Sequence, residues 1–129
     1  MLRALILVAG LSVTPAFATE WVHCADAAGA ASFDYLAGDG LDVLSISALT
    51  VSAGEKVWAS DAANGPGDPV SVGQAFEDAG TVLIDALDKD AVRFAELRLY
   101  RAADGDALAL GGTLTIKGLG AWVVSCDPA

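Results

Sequence analysis

The chain has 129 residues, 54% of them hydrophobic, and a formal net charge of −10 at pH 7. That hydrophobic content excludes an intrinsically disordered chain, and the length fits one domain with a modest core. An acidic surface repels phosphate backbones and anionic lipid head groups, so the charge argues against nucleic-acid and membrane partners.

The first 18 residues are organised like a secretory signal peptide. A positive start at Arg3 precedes an apolar stretch over residues 4–13, and an Ala-x-Ala cleavage box ends at Ala18. The apolar stretch is too short for a membrane-spanning helix. We therefore expect residues 1–18 to be removed and residues 19–129 to form a single β-domain. The expected location is the periplasm, with the extracellular space as the alternative.

The two cysteines, Cys24 and Cys126, lie near the two ends of the mature chain. In an exported protein, two cysteines predict one disulfide. Closing a loop of roughly 100 residues restricts the unfolded chain, for which the chain-entropy model gives on the order of 4–5 kcal/mol of stabilisation. We expect the cysteines to lie on neighbouring strands and to join the two ends of the domain.

Short apolar runs alternate with turn residues along the mature chain, a pattern typical of all-β domains. In residues 41–51 the apolar phase changes after Ala48, which indicates a bulge or bend. Residues 107–117 alternate most clearly between apolar and polar positions. Predicted strands cover residues 21–25, 32–36, 41–51, 56–58, 81–87, 107–117 and 121–125. The residues of the 107–117 strand expected to face the core are Leu108, Leu110, Leu114 and Ile116.

Two further segments are ambiguous. Residues 70–79 fit either a strand or a short helix that begins at Ser71. Residues 91–102 fit a helix capped at Asp90, but their apolar side chains would spread around the helix, so a strand is favoured. The total is eight or nine strands, which predicts an all-β fold: a small antiparallel β-sandwich or barrel with one disulfide and at most one short helix.

No group of residues typical of catalysis stands out. The single histidine, His23, lies next to Cys24 at the start of the mature domain, and no G-x-S-x-G motif is present. A zinc site would need several His or Cys ligands, and both cysteines are assigned to the disulfide. We therefore expect a protein without enzymatic activity and without a cofactor.

Asp85, Asp88 and Asp90 surround one predicted turn and form a weak candidate calcium site. Calcium prefers several carboxylate and carbonyl oxygens on a flexible loop. The spacing does not match an EF-hand, and aspartate is a common turn residue because its side chain bonds the local backbone. Turn formation is the favoured interpretation.

Residues 60–69 are the longest run of turn formers and predict an exposed loop. Trp58 ends the strand before this loop, and an aromatic side chain beside a loop can anchor an interface, although most tryptophans are buried in packing. The candidate interface residues are Trp58, Asp61, Asn64 and Asp68.

Arginine and tryptophan positions complete the expectations. Arg93, Arg98 and Arg101 are close together in sequence, and a solvated strand face with cross-strand ion pairs is the favoured interpretation. Trp21 and Trp122 flank the predicted disulfide and are expected to pack in the core or at its rim.

The surroundings of the cysteines, Val22-His23-Cys24 and Val124-Ser125-Cys126, resemble those in the periplasmic inhibitors of C-type lysozyme, which are small antiparallel barrels tied by a similar bridge. The serine and lysine motif of their inhibitory loop has no counterpart here, so no residue role is carried over. The sequence favours an exported, non-enzymatic binding module with a protein partner. The alternatives are a barrel that carries a small molecule and a calcium-binding domain.

Overall fold

The computed structural model describes Gly10 and residues 19–38 and 44–129. The rest of the predicted signal peptide and the first three residues of the predicted strand 41–51 lie outside the described residues. The described part contains ten strands and one three-residue 3-10 helix, which confirms the all-β prediction with a slightly higher strand count. The strands are β1 (Glu20–Ala25), β2 (Ala31–Gly38), β3 (Ser45–Ala53), β4 (Lys56–Ala59), β5 (Asp68–Pro69), β6 (Ser71–Glu77), β7 (Thr81–Leu87), β8 (Arg93–Asp104), β9 (Ala107–Ile116) and β10 (Gly120–Asp127). The 3-10 helix spans Ala62–Asn64. None of the helical structure described is long and apolar enough to cross a membrane.

The ten strands form one sheet in the order β5-β4-β3-β2-β1-β10-β9-β8-β7-β6. The first and last strands of the chain pair with each other, and every neighbouring pair is antiparallel except β4 with β5. The two edge strands, β5 and β6, are separated in the chain by Val70 alone. The sheet must therefore curl until its edges come together, and β3 and β6 do approach each other. The result is a nearly closed barrel.

The interior of the barrel is one hydrophobic cluster. Because side chains alternate between the two faces of a strand, each long strand contributes every second residue to this interior. Full burial of a Leu, Ile or Val side chain stabilises the fold by about 1.5–3 kcal/mol. The largest fully buried side chains are Phe33, Leu49, Ile84, Leu97, Leu99, Leu114, Ile116, Val51, Val82 and Cys24.

The predicted inner face of β9 is confirmed at three of its four positions. Leu110, Leu114 and Ile116 are buried, but Leu108 is 58% exposed. Leu108 has the expected phase, yet it pairs with Ala103 in the part of the β8–β9 hairpin that projects past the barrel end, where both residues are exposed. Alternation therefore predicted the direction of this side chain but not the length of the core.

The predicted bulge in the third strand is also present. Ala48 pairs with Leu36 and Ile46 pairs with Ala37, so Ser47 is an extra residue in β3. The extra residue shifts the phase of the strand, and Leu49 then points into the core.

Both ambiguous segments are strands. Residues 70–79 contain β6 rather than a helix, and residues 91–102 fall largely within β8, the longest strand described. β8 pairs with β7 from Arg93 to Tyr100 and with β9 from Ala95 to Asp104. Backbone pairing on both sides satisfies its polar groups and outweighs the helical signals of the sequence.

Close approach of β8 and β9 depends on Gly112. A Cβ atom at this position would lie 1.9 Å from the carbonyl oxygen of Arg98, which is backbone and cannot move aside cheaply. Only glycine fits at such a contact. The tight pairing fixes the outer faces of these two strands relative to each other.

The predicted disulfide joins Cys24 to Cys126. The β1–β10 ladder has three registered pairs, and the cysteines form the middle one, with a Cα–Cα distance of 4.1 Å. Their position on neighbouring strands is as expected. A structural disulfide is compatible with an exported protein.

Candidate interaction surface

The structure buries the tryptophan that the sequence suggested as an interface anchor. Trp58 is only 9% exposed, and its ring packs on that of Phe94 with centroids 4.8 Å apart. The ammonium of Lys56 lies 5.7 Å from the indole centroid and covers part of the remaining ring. Trp58 therefore serves mainly as packing at one end of the barrel.

The other candidate loop residues, Asp61, Asn64 and Asp68, are exposed. Asp61 accepts a hydrogen bond from the amide of Ala63 and caps the 3-10 helix. Asp68 lies 3.9 Å from the ammonium of Lys56. The Asp61 carboxylate is therefore occupied within its own turn, and few side chains of the loop are left to contact a partner.

A shallow cleft of about 290 Å³ separates this loop from the outer faces of β2 and β3. Asn64 and Pro66 form one wall, and the opposite wall carries hydroxyl groups. Two of these, on Ser32 and Ser52, already hydrogen-bond each other at 2.7 Å. The hydroxyl groups of this wall therefore satisfy each other in part.

The three candidate calcium ligands do not converge. The carboxylate of Asp85 is buried beside Arg98, while Asp88 accepts hydrogen bonds from the backbone amides of Asp90 and Val92. In the part of the chain that the structure describes, no three His, Cys, Asp or Glu side chains are grouped to hold a metal ion. Asp88 therefore stabilises its own turn, as the favoured interpretation of the sequence expected.

His23 lies on the exposed outer face of β1. Its Nδ1 contacts Oδ1 of Asp34, the residue opposite it on β2, at 2.5 Å. This is a cross-strand pair of the kind that stabilises a sheet surface.

The structure reveals a row of side chains on the outside of the barrel that the sequence analysis missed, with exposed apolar residues at its two ends and polar residues between them. Strand register places one residue from each of five neighbouring strands in a line roughly 19 Å long, at about 4.8 Å per strand. Tyr100 lies on the same face of β8, two residues from this line. Exposure is 79% for Val123, 69% for Tyr100 and 45% for Phe76. The five residues of the line are Phe76, Leu83, Arg98, Thr113 and Val123. We name these five residues, together with Tyr100, the outer row.

Arg98 of the outer row also belongs to an ion-pair network of four charged side chains. Asp85 lies 2.8 Å from Nη2 of Arg98 and 3.7 Å from Nη1 of Arg93. Glu96 lies 3.0 Å from Nε of Arg93 and 4.0 Å from Arg98. The prediction of strand-face ion pairs is confirmed for Arg93 and Arg98.

A cleft of about 310 Å³ opens beside this network at the ends of β8 and β9. Glu96 and Thr115 form a registered pair in its wall, and they lie two residues along the strands from the Arg98–Thr113 pair of the outer row. Two residues along a strand span about 7 Å, so the cleft and the outer row adjoin. We name this the cationic cleft, and its lining residues are Arg93, Phe94, Glu96, Thr115 and Lys117.

Arg101 departs from the predicted strand face. Arg101 pairs with Leu110, whose side chain is buried. The side chain of Arg101 is therefore on the inner face of β8 and extends to the end of the barrel. There its Nη2 donates to Glu77 at 2.6 Å. Beneath this ion pair, burial raises the pKa of Tyr35 to about 12, with the Glu77 carboxylate adding to the rise and Arg101 opposing it.

The two remaining tryptophans differ from each other. Trp122 packs against the core as expected. Trp21 is 40% exposed, because its phase on β1 points outward, opposite to its buried neighbour Val22. Trp21 therefore lies outside the core cluster, on the outer face of β1.

Periodicity could have found the outer row only in part. Tyr100 and Val123 each follow a residue that faces inward, so their outward phase is readable from the sequence. Their proximity depends on the strand order, which no local pattern contains. Comparisons of the chain with protein-family models, with curated proteins and with solved structures found no match.

Proposed function

We propose that this protein is an exported, non-enzymatic binding module that recognises a protein partner in the periplasm through its outer row. The observation that carries the proposal is that the exposed side chains of Tyr100, Phe76 and Val123 share one face of the sheet with Arg98. Tyrosine, phenylalanine and arginine are enriched in protein interfaces, and exposed apolar patches on soluble domains mark binding sites.

Rigidity of the outer row supports the same proposal. Its residues stand on five paired strands rather than on a loop, and Gly112 holds two of those strands close together. A surface that is ordered before binding loses little conformational entropy when a partner docks. A rigid sheet face is therefore a better docking platform than the 60–69 loop.

The alternatives have less support. A small-molecule carrier needs a lined internal space, whereas the buried side chains of the described barrel form one hydrophobic cluster. A calcium-binding domain needs converging oxygen ligands, and Asp85 and Asp88 are engaged elsewhere. Millimolar calcium that raised the melting temperature would revive that alternative, because a bound ion stabilises the folded state.

The test is affinity capture of partners by the exported protein, tagged at its C-terminus, from a native envelope extract. We expect one specific protein to be retained, and Val123→Asp to abolish its retention because a charge would be placed in the apolar contact. Val57→Asp is the matched control, since Val57 is 40% exposed on β4 beside the 60–69 loop. Circular dichroism melts establish that both variants fold.

Either of two results would contradict the proposal. Loss of the partner with Val57→Asp but not with Val123→Asp would move the interface to the loop. Failure of the folded wild-type protein to retain any specific protein would remove the interaction module itself.

A further inference from the structure

The cationic cleft reverses the charge of the molecule locally. Its lining holds two cations, Arg93 and Lys117, and one carboxylate, Glu96, which gives the lining a net charge of +1 in a chain of net charge −10. An acidic group is repelled by most of this surface and attracted to the cleft.

Asp85 holds the arginines of the cleft in place. Asp85 is only 4% exposed. Its Oδ1 lies 2.8 Å from Nη2 of Arg98 but makes no hydrogen bond of good geometry. A buried carboxylate is costly unless cations stay close to it, so Arg98 and Arg93 are drawn down onto the sheet. The cations are therefore positioned before any ligand arrives.

Donors remain available in the cleft. Arg93 lies 3.0 Å from Glu96 through Nε and 3.7 Å from Asp85 through Nη1, and the N–H donors of a guanidinium outnumber these two contacts. The ammonium of Lys117 also has no ion-pair partner in the described part of the chain, and it lines the same cleft as the hydroxyl of Thr115. A carboxylate accepts several hydrogen bonds and prefers such charged donors.

We infer that the cationic cleft binds a carboxylate, and that the partner segment docking on the outer row carries an acidic side chain between apolar ones. The inference rests on the proposed function for its apolar part. The acidic side chain enters the cleft between Arg93 and Lys117, and an apolar side chain beside it contacts Val123, which lies one strand over and two residues along from Thr115.

The experiment is a titration of the isotope-labelled protein, followed by amide chemical shifts, with two capped peptides. The probes are acetyl-Leu-Glu-Leu-amide and its isosteric control acetyl-Leu-Gln-Leu-amide. We expect the Glu peptide, and not the Gln peptide, to shift the amides of Phe94, Thr115 and Lys117, and added salt to reverse the shifts. Lys117→Gln should weaken binding of the Glu peptide by about fivefold, as loss of one charged contact implies.

Lys89→Gln is the matched charge control, because Lys89 lies in the β7–β8 turn outside the cleft lining. It should leave the titration unchanged. Equal shifts from the two peptides, or full binding by Lys117→Gln, would overturn the carboxylate site. If both peptides shift only the amides near Val123 and Tyr100, the carboxylate site is wrong while the apolar docking surface stands. If neither peptide shifts any amide, the carboxylate site is wrong and the proposed function depends on affinity capture alone.

Discussion

The barrel closes at two seams that are built in different ways. The first seam joins β1 to β10, strands from opposite ends of the chain, through three registered pairs and the Cys24–Cys126 disulfide. The second joins consecutive parts of the chain: β5 pairs with β4 over two residues and continues through Val70 into β6. Strands distant in sequence carry a large loop-closure cost that a cross-link offsets, whereas neighbouring strands need only burial of their side chains.

The second seam also explains the one parallel pair in the sheet. β5 and β6 run on as a single extended segment interrupted at Val70, which leaves nine strands around the ring. A ring with an odd number of strands cannot alternate in direction everywhere. One neighbouring pair must be parallel, and it is the short β4–β5 pair.

Removal of the disulfide is the strongest test of the first seam. We expect Cys24→Ala combined with Cys126→Ala to lower the free energy of unfolding by on the order of 4 kcal/mol, because the unfolded chain gains freedom. Urea unfolding followed by circular dichroism measures the change. A loss below roughly 1 kcal/mol would show that three strand pairs close this seam unaided.

Truncation of Trp58 is the corresponding test of the second seam. Trp58→Ala removes a buried ring that packs on Phe94, and we expect a loss of about 3 kcal/mol. Trp21→Ala is the control, because Trp21 is 40% exposed and its loss should cost far less. Similar losses for the two variants in urea unfolding would show that this end of the barrel is not held by packing.

Val70→Ala tests the link between the two edge strands. Val70 is 6% exposed, and removal of two buried methyl groups should cost about 1–2 kcal/mol. Hydrogen exchange should speed up in β6 and remain slow in β1. The matched variant is Val92→Ala at a residue 48% exposed, which should change neither quantity. Faster exchange in β1 as well would mean that the two seams open together.

The smallest expected effect is an alkaline loss of stability from Tyr35, on β2 between the seams. Its pKa is raised to about 12 from 10.0, so between these values the folded state retains a proton that the unfolded state releases. The contribution is fully present below pH 10 and is lost as the pH rises toward 12. After allowance for solvent near the barrel end, the loss is on the order of 1 kcal/mol. Urea unfolding at several alkaline pH values measures it, and Tyr35→Phe should remove this dependence.

The sequence predicted the parts of the fold that depend on local alternation. Residues 81–87 are a strand with the predicted bounds, and the phase change in residues 41–51 is a bulge. The disulfide followed from cysteine count and export. β5 was not predictable, because Asp68 and Pro69 lie among turn formers and become a strand only by pairing with β4.

The candidate site was harder to predict, because strand order decides it. Asp85 was grouped with Asp88 and Asp90, its neighbours in sequence, whereas the fold places it against Arg98 on the next strand. Trp58 was judged by the loop that follows it, and the sequence could not show that its phase turns the ring inward. Tyr100 and Val123 come together only after β8, β9 and β10 are aligned.

The pairing of β1 with β10 has a consequence for biogenesis. On the proposed export route, Cys24 would reach the oxidising compartment first, and its partner would follow 102 residues later. Until then β1 has β2 as its sole neighbour, and one of its edges is open to other chains. On this route, the arrival of β10 would complete the disulfide and cover the open edge of β1.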